Sequence, residues 1–268
     1  MSSQLTAQWS VYSPDLIVQG DQVMLYLGGW GNEQRPAFEA GVAPRDTIYR
    51  ANLAAPDSIV PVLRPQDHGL GLLNDPSIVN MGSYWIMYMT CVVDPTPGAG
   101  NDARRNAIYW SVSWANDGVN WSPPAPLAND LWLPAAIKRP GEDVRLYANS
   151  NIDGLIYRVD LGSSGVVAGA RTAVALPKPY RNIKLDYIGT VGRYQMLAQF
   201  VAADNSSSTI DRLTSHDGLS WIIADENLLP DVRFAITPAG HPFSDAYVYH
   251  GAAETLDGPW NVFIEQWT

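Results

Sequence analysis

Cysteine is nearly absent: Cys91 is the only one in 268 residues. A lone thiol closes no intramolecular disulfide, so the fold does not depend on oxidation. Its place at the end of the apolar run YWIMYMTC makes a buried structural thiol the expectation, not a nucleophile. Basic residues are scarce too, 17 Lys and Arg against 27 Asp and Glu, for a net charge of −10. No basic run and no interleaving of basic with aromatic residues occurs. That excludes the electrostatic footprint of a protein that binds nucleic acid or anionic membranes, and leaves a neutral or cationic ligand as the easier partner.

Long apolar runs are missing as well. No segment is long enough to cross a bilayer as a helix. The opening MSSQLTAQWSVY has neither the basic start nor the apolar stretch of a secretory leader. The expectation is a soluble protein without membrane insertion, cytoplasmic as the sequence stands and secreted or at the cell surface if a leader has been removed. His68, His216, His241 and His250 show no two-histidine helical spacing, so no zinc site is expected. The G-x-G pairs in GLGLLN and GAGNDARR lack the strand-to-helix setting of a dinucleotide or phosphate loop, and no organic cofactor is expected.

What is plentiful is punctuation and flat rings: 22 Gly, 20 Pro, 10 Trp and 13 Tyr against 5 Phe. Rings with a polar handle suit half-buried β surfaces and sugar-binding clefts alike. A side-chain period of two dominates, as in VMLYLGG, YWIMYMT, VRLYANS, YQMLAQF and DAYVYHG, and no long 3.6-residue apolar stripe competes with it. The chain is therefore all-β.

The runs also recur. Gly20, Gly82 and Gly141 each precede a tyrosine (Tyr26, Tyr88, Tyr147) by six places, and Gly192–Ala198 and Gly240–Ala246 repeat the spacing with a smaller residue. A glycine followed by an alternating strand is how a tight hairpin joins antiparallel partners. Short apolar runs lie upstream each time. A second signature closes the units: Asp117-Gly118 before Trp121, Asp217-Gly218 before Trp221 and Asp257-Gly258 before Trp260, with Asp-Gly making a tight turn. The first and third units replace it by RANLAAPDS and RVDLGSSG.

Five units follow, at roughly 10–55, 73–125, 130–165, 181–225 and 231–268. A period of that length, with about four strands per unit, is what a propeller blade requires. The expectation is one closed domain over 1–268, a five-bladed β-propeller with four antiparallel strands per blade.

In a propeller the innermost strands line a central channel. With the strand before each hairpin glycine as the innermost, seven residues back lie Ser13, Asp75, Pro134, Leu185 and Arg233, and five back lie Asp15, Ser77, Ala136, Tyr187 and Ala235. Two residues make one pleat, so both rows share a face. Asp15 and Asp75 then face the channel from adjacent blades. Lys184 or Asp186 joins them if the fourth strand starts slightly earlier, and Arg233 comes from the fifth. An acid-rich centre with one or two cations is a candidate small-molecule site.

The stretches SPDLIV and NDPSIV resemble the aspartate-bearing inner strands of five-bladed propeller glycoside hydrolases, the arabinanases and xylosidases of family 43 and the invertases and fructanases of family 32. The blade-closing SxxxDGxxW pattern recurs in that superfamily. The resemblance implies an oligo- or polysaccharide substrate and a trio of carboxylates. By it, Asp15 matches the first-blade base or nucleophile, and Asp75 the second-blade aspartate that orients a neighbour and tunes its pKa. Such chemistry needs one protonated and one ionised carboxyl held apart.

The third-blade strand LWLPAAIKRPGED carries no acid at a pocket-facing position, and Glu142, directly after the hairpin glycine, is expected at the opposite end as a turn residue. Substitutes are Glu33, Glu39, Asp102 or Asp186, of which Asp186 is the catalytic candidate. The alternative is a propeller that binds carbohydrate without cleaving it. Trp30 is a candidate for stacking on a sugar, Arg104 and Arg105 for clamping a carboxylate or hydroxyl-rich ligand, and Lys184, Arg233 and His250 complete the substrate-binding candidates. The resemblance further implies that a fifth-blade histidine such as His250 can attend a structural cation or water in the channel. Asp117, Asp217 and Asp257 read as turn residues.

Overall fold

The computed structural model describes residues 3–5, 8–94, 106–115, 117–139, 141–202, 208–229, 238–241, 244–253 and 260–266. They form five antiparallel sheets of four strands, a five-bladed β-propeller. After a short strand β1 (Ser3–Gln4), the first blade holds β2 (Ser10–Gln19), β3 (Gln22–Trp30), β4 (Ile48–Asn52) and β5 (Ala55–Leu63). A short helix α1 (Arg35–Glu39) interrupts the path from β3 to β4. The second blade holds β6 (Leu72–Asn80), β7 (Trp85–Val92), β8 (Asn106–Ser113) and β9 (Ala125–Asn129). The third holds β10 (Leu131–Lys138), β11 (Val144–Ser150), β12 (Ile156–Leu161) and β13 (Ala168–Ala173). The fourth holds β14 (Ile183–Ile188), β15 (Arg193–Val201), β16 (Ser208–Ser215) and β17 (Ile222–Leu229). The fifth holds β18 (Pro238–His241), β19 (Ser244–Ala252) and β20 (Asn261–Gln266).

The fifth blade takes its outer strand from the other end of the chain: β1 pairs with β20, Ser3 opposite Ile264. The ring is closed by main-chain hydrogen bonds between its two ends, which removes an open sheet edge. The repeat alone did not reveal this, because β1 is only two residues long. As expected, the strand before each hairpin is innermost: β2, β6, β10, β14 and β18 touch one another around the axis.

The core is divided among the blade interfaces. Met24, Tyr26 and Ile48 of blade one pack on Ile78, Met87 and Cys91 of blade two, and equivalent clusters fill each of the other four interfaces. Cys91 is buried there, and burial pushes its thiol up to about 12, so it is the structural residue its apolar run implied.

Two of the three Asp-Gly-Trp signatures are inter-blade locks; Asp257 and Gly258 lie outside the described residues. Tyr26 of blade one donates from its hydroxyl to the Gly118 carbonyl of blade two at 2.9 Å, and Tyr147 of blade three does the same to Gly218 of blade four at 2.8 Å. Gly118 and Gly218 have φ of 63° and 73°, and a Cβ on either would sit 2.0 or 2.4 Å from the tyrosine oxygen. Asp217 organises its turn by accepting the backbone N–H groups of Ser220 and Leu219, which hold its carboxyl down at about 2. Asp117 caps Val119 and Asn120 in the same way. The third blade has the lock without the signature: Tyr88 donates to the Gly165 carbonyl at 2.7 Å, in LGSSG.

Glycine spacing misplaces three registers; in blade four Ala198, six places after Gly192, pairs with Ile183 and not with Tyr187. The β10–β11 connection spans residues 139–143, longer than the 20–21 connection of blade one, so Ala135, not Ala136, pairs with Tyr147 as Asp15 pairs with Tyr26. In blade five, Gly240 lies inside β18 opposite Val248, and the hairpin falls after His241.

Candidate functional site

Three inner strands share a local distortion. The ladder slips between Tyr12 and Asp15, between Asn74 and Ser77, and between Trp132 and Ala135. At each slip a residue with φ of 51° precedes a proline: Ser13-Pro14, Asp75-Pro76 and Leu133-Pro134. Proline has no N–H to give a ladder and is confined to bulges or edges. The bulge breaks the uninterrupted pleat on which the two-row reading rests. Asp75 is the structural counterpart of Ser13, and Asp15 of Ser77. The two aspartates therefore do different work.

Asp15 is buried, 1% exposed, at the channel centre. Its Oδ1 accepts the Leu16 N–H at 2.9 Å and pairs with Lys184 of β14, and its Oδ2 accepts the Ile78 N–H of the neighbouring blade at 2.6 Å. Both oxygens are thus occupied. Beyond this pair, toward the hairpins, opens a cavity of about 410 Å³ lined among others by Lys138, Lys184, Asp186, Gln195 and Tyr247. Asp186 is exposed, its Oδ1 taking the Tyr187 N–H at 2.7 Å. Asp75 does not line this cavity.

Asp75 belongs to a second cluster, at the other end of β2 and β6. The Ser13 hydroxyl donates to its Oδ1 at 2.6 Å, and its own N–H donates to the Asn74 side chain at 2.8 Å. Asn74 in turn donates to Asp46 at 3.4 Å, and the Tyr12 hydroxyl donates to the same Asp46 Oδ2 at 2.9 Å. Asn74 reaches this position because residue 28 is glycine; a Cβ there would lie 1.6 Å from the Asn74 amide oxygen.

The electrostatics of the two acids follow from burial. Burial raises Asp75 above the usual carboxylate range, against the hydrogen bonds of Ser13 and Thr90 that favour its charged form. Burial pushes Asp46 up to about 7, Tyr12 opposes this, and the charge of Asp75 adds to it. The Asp46 Oδ1 is buried without a hydrogen-bond partner among the described residues, and so is the indole nitrogen of Trp30. Trp30 lies close enough to favour the Asp46 carboxylate, though without the geometry of a hydrogen bond. Trp9 packs on Trp30 at 5.3 Å and on the exposed Phe38 of α1 at 4.8 Å, so the acids sit beside an aromatic patch.

The predicted residues therefore divide. Asp75 on β6 and Trp30, which ends β3 opposite Ser10, are at the end where the inner strands start; Asp15, Lys184 and Asp186 are together on the hairpin side. His250 is buried in β19, stacked on Phe263 at 6.0 Å with Nε2 3.6 Å from a Glu265 oxygen, and the adjacent Gly251 packs against Tyr12 and Ser13. Arg104, Arg105, Asp102 and Arg233 lie outside the described residues. Glu33 accepts the Tyr49 hydroxyl at 2.5 Å, Glu39 pairs with Arg35 on α1, and Glu142 pairs with Arg139 and Arg145 at the hairpin. Among the described residues no three His, Cys, Asp or Glu side chains converge as a metal cradle.

Asp46, Tyr12 and Ser13 are absent from the sequence-derived candidates. Asp46 precedes β4 in the connection from β3, outside the glycine-anchored runs, so the repeat offers no alignment for it. Ser13 stands in the row that contains Asp75, and only the X-Pro recurrence marks it.

No family model and no curated protein matches the chain. Solved structures do. The β-xylosidase RS223 has a TM-score of 0.72 with 12% identity, over 99% of this chain and 94% of its own. The catalytic domain of the Coprinopsis cinerea family GH62 α-L-arabinofuranosidase reaches 0.69 at 12% identity, over 99% and 95%. The family GH43 endo-arabinanase of Bacillus licheniformis reaches 0.59 at 11%, over 96% and 94%. The fold is thus the five-bladed propeller of these glycoside hydrolases. At such identities it is the fold that is shared, and fold alone does not carry a reaction.

Proposed function

We propose that the protein is a glycoside hydrolase-like enzyme acting on the glycosidic bond of an oligo- or polysaccharide, with its acid chemistry at Asp46 and Asp75. The observation that carries this reading is the Asp46 carboxyl, pushed up to about 7. It holds a proton near neutral pH and can donate it to a leaving-group oxygen. Asp75 supports it as the neighbour whose charge raises that pKa, the tuning role the family resemblance implies for a second-blade aspartate. Asp46 then fills the place of the acid missing from the third blade. Asp15, with both oxygens held by Lys184 and two backbone N–H groups, stands apart from that pair, and Trp30 with Trp9 offers an aromatic face for a sugar ring.

A second reading, a propeller that binds carbohydrate without cleaving it, is favoured by one observation: Lys184 and two backbone N–H groups occupy both Asp15 oxygens. Hydrolysis of aryl arabinofuranosides, aryl xylosides and soluble arabinan or xylan separates the two. The hydrolytic reading expects turnover that falls about 10²–10⁴-fold in Asp46→Asn, the usual contribution of a positioned acid. Turnover undiminished in Asp46→Asn and Asp75→Asn removes these residues from the reaction. Binding to the polysaccharides without turnover establishes the second reading.

A further inference from the structure

The Asp15–Lys184 pair lines the cavity on the hairpin side of the inner strands, and neither Asp46 nor Asp75 lines it. That cavity, about 410 Å³, draws wall residues from all five inner strands, so its shape is set by the rigid centre of the propeller and not by loops. Its volume lies low in the range of small-molecule sites, which suits a mono- or disaccharide better than a polymer strand. Most of the lining surface is polar, and Leu16, Ile78, Ile137, Leu185 and Leu197 contribute the apolar part. The polar groups stand at the floor and rim: Asp15 and Lys184 below, Asn80, Lys138, Asp186 and Gln195 around.

Their charges cancel, two lysines against two aspartates, so neither an anion nor a cation is selected. Lys138 is already turned to the Glu142 carbonyl at 3.3 Å and Lys184 to Asp15. What is left is a mostly polar lining of mixed donors and acceptors with apolar patches between them, the complement of a neutral polyhydroxylated ring. Asp46 and Asp75, whose carboxyls burial pushes toward the protonated form, lie outside the cavity, so it has no share in their acid chemistry.

We propose that this hairpin-side cavity is a second, non-hydrolytic binding site for a neutral mono- or disaccharide. The ligand class rests on the carbohydrate reading above; the site itself rests on the cavity. The test is titration calorimetry or saturation-transfer NMR on the full chain with D-xylose, L-arabinose, D-galactose and xylobiose. At least one of these is expected to bind with a Kd on the order of 1 mM or tighter.

Asn80→Trp adds a bulky ring at an exposed strand end on the cavity rim and is expected to weaken that binding at least about tenfold. Gln195→Ala is expected to weaken it in the same direction, and an unchanged melting temperature shows that either variant is folded. Asp75→Asn is expected to abolish turnover and leave this binding intact. If the wild type hydrolyses nothing yet Asn80→Trp removes sugar binding, the hydrolytic reading fails and the second site stands. Binding equal in wild type and Asn80→Trp, or no binding of any of the four sugars at about 10 mM, overturns it.

Discussion

The Ser13 hydroxyl of the first inner strand donates a 2.6 Å hydrogen bond to the Asp75 carboxylate of the second, joining two residues that hold the same bulge position in successive blades. One repeat carries the acid and its neighbour carries the donor that favours the charged form of that acid.

Removing that donor has a signed consequence. Because burial raises the folded-state pKa of Asp75, its contribution to stability is fullest when the carboxyl is protonated and is lost as pH rises. Ser13→Ala raises the pKa further and leaves a buried carboxylate with one donor fewer. The expected cost is about 1–3 kcal/mol above the Asp75 pKa and clearly less in acid. Urea unfolding at pH 4 and pH 8 measures it; an equal loss at both pH values contradicts the assignment.

Asp46 gives the wider pH window. Its pKa is moved from 3.8 to about 7, so the stability it contributes is complete below the lower value and is lost as pH rises through the upper. Asp46→Asn removes that loss, and at pH 8 the variant should be the more stable protein, by on the order of 2 kcal/mol after screening is allowed for. If Asp46 is the acid, wild-type kcat/KM declines above about pH 7, and Tyr12→Phe moves that decline to higher pH, since Tyr12 opposes the shift. A pH profile that Tyr12→Phe leaves in place rejects the role.

How much of this could be read beforehand depended on what repeats. The period of two, the glycine hairpins and the Asp-Gly-Trp turns specify the propeller because each blade must solve the same packing problem. Gly20 and Gly82 also place the inner strands, since the residues from each glycine back to its inner strand are alike. Gly141, Gly192 and Gly240 fail because hairpin length, and the glycine's place in the hairpin, are free to vary where no core depends on them. The Asp15–Lys184 pair, 169 positions apart, joins two residues that strand alignment places in one channel, but the contact itself follows from ring closure. Asp46 sits in the β3–β4 connection, outside the runs that repeat.

That pair carries a prediction about net charge in the core of the channel. Asp15 has backbone donors as well as Lys184, but a lysine removed leaves a buried carboxylate without its counter-charge. Lys184→Met is expected to destabilise by about 3–5 kcal/mol, and Asp15→Asn combined with Lys184→Met by much less than the sum of the two single changes. Guanidinium unfolding of the four proteins closes the cycle, and additive effects show that the two charges do not interact.

The inter-blade locks separate a glycine's backbone role from its packing role. Gly118 and Gly141 both have positive φ, 63° and 74°, but a Cβ on Gly118 meets the Tyr26 oxygen at 2.0 Å whereas one on Gly141 meets nothing within 4 Å. Gly141→Ala should therefore cost about 1 kcal/mol, the backbone term alone. Gly118→Ala should cost at least about 2 kcal/mol more, because the tyrosine must also give way. Tyr26→Phe removes only the hydrogen bond, about 1 kcal/mol, and in its background the excess cost of Gly118→Ala should shrink in part, since the hydroxyl it strikes is gone while the Trp85 ring, 2.6 Å from the same Cβ, remains. Equal costs at Gly118 and Gly141 in thermal unfolding would show that the locks contribute no packing between blades.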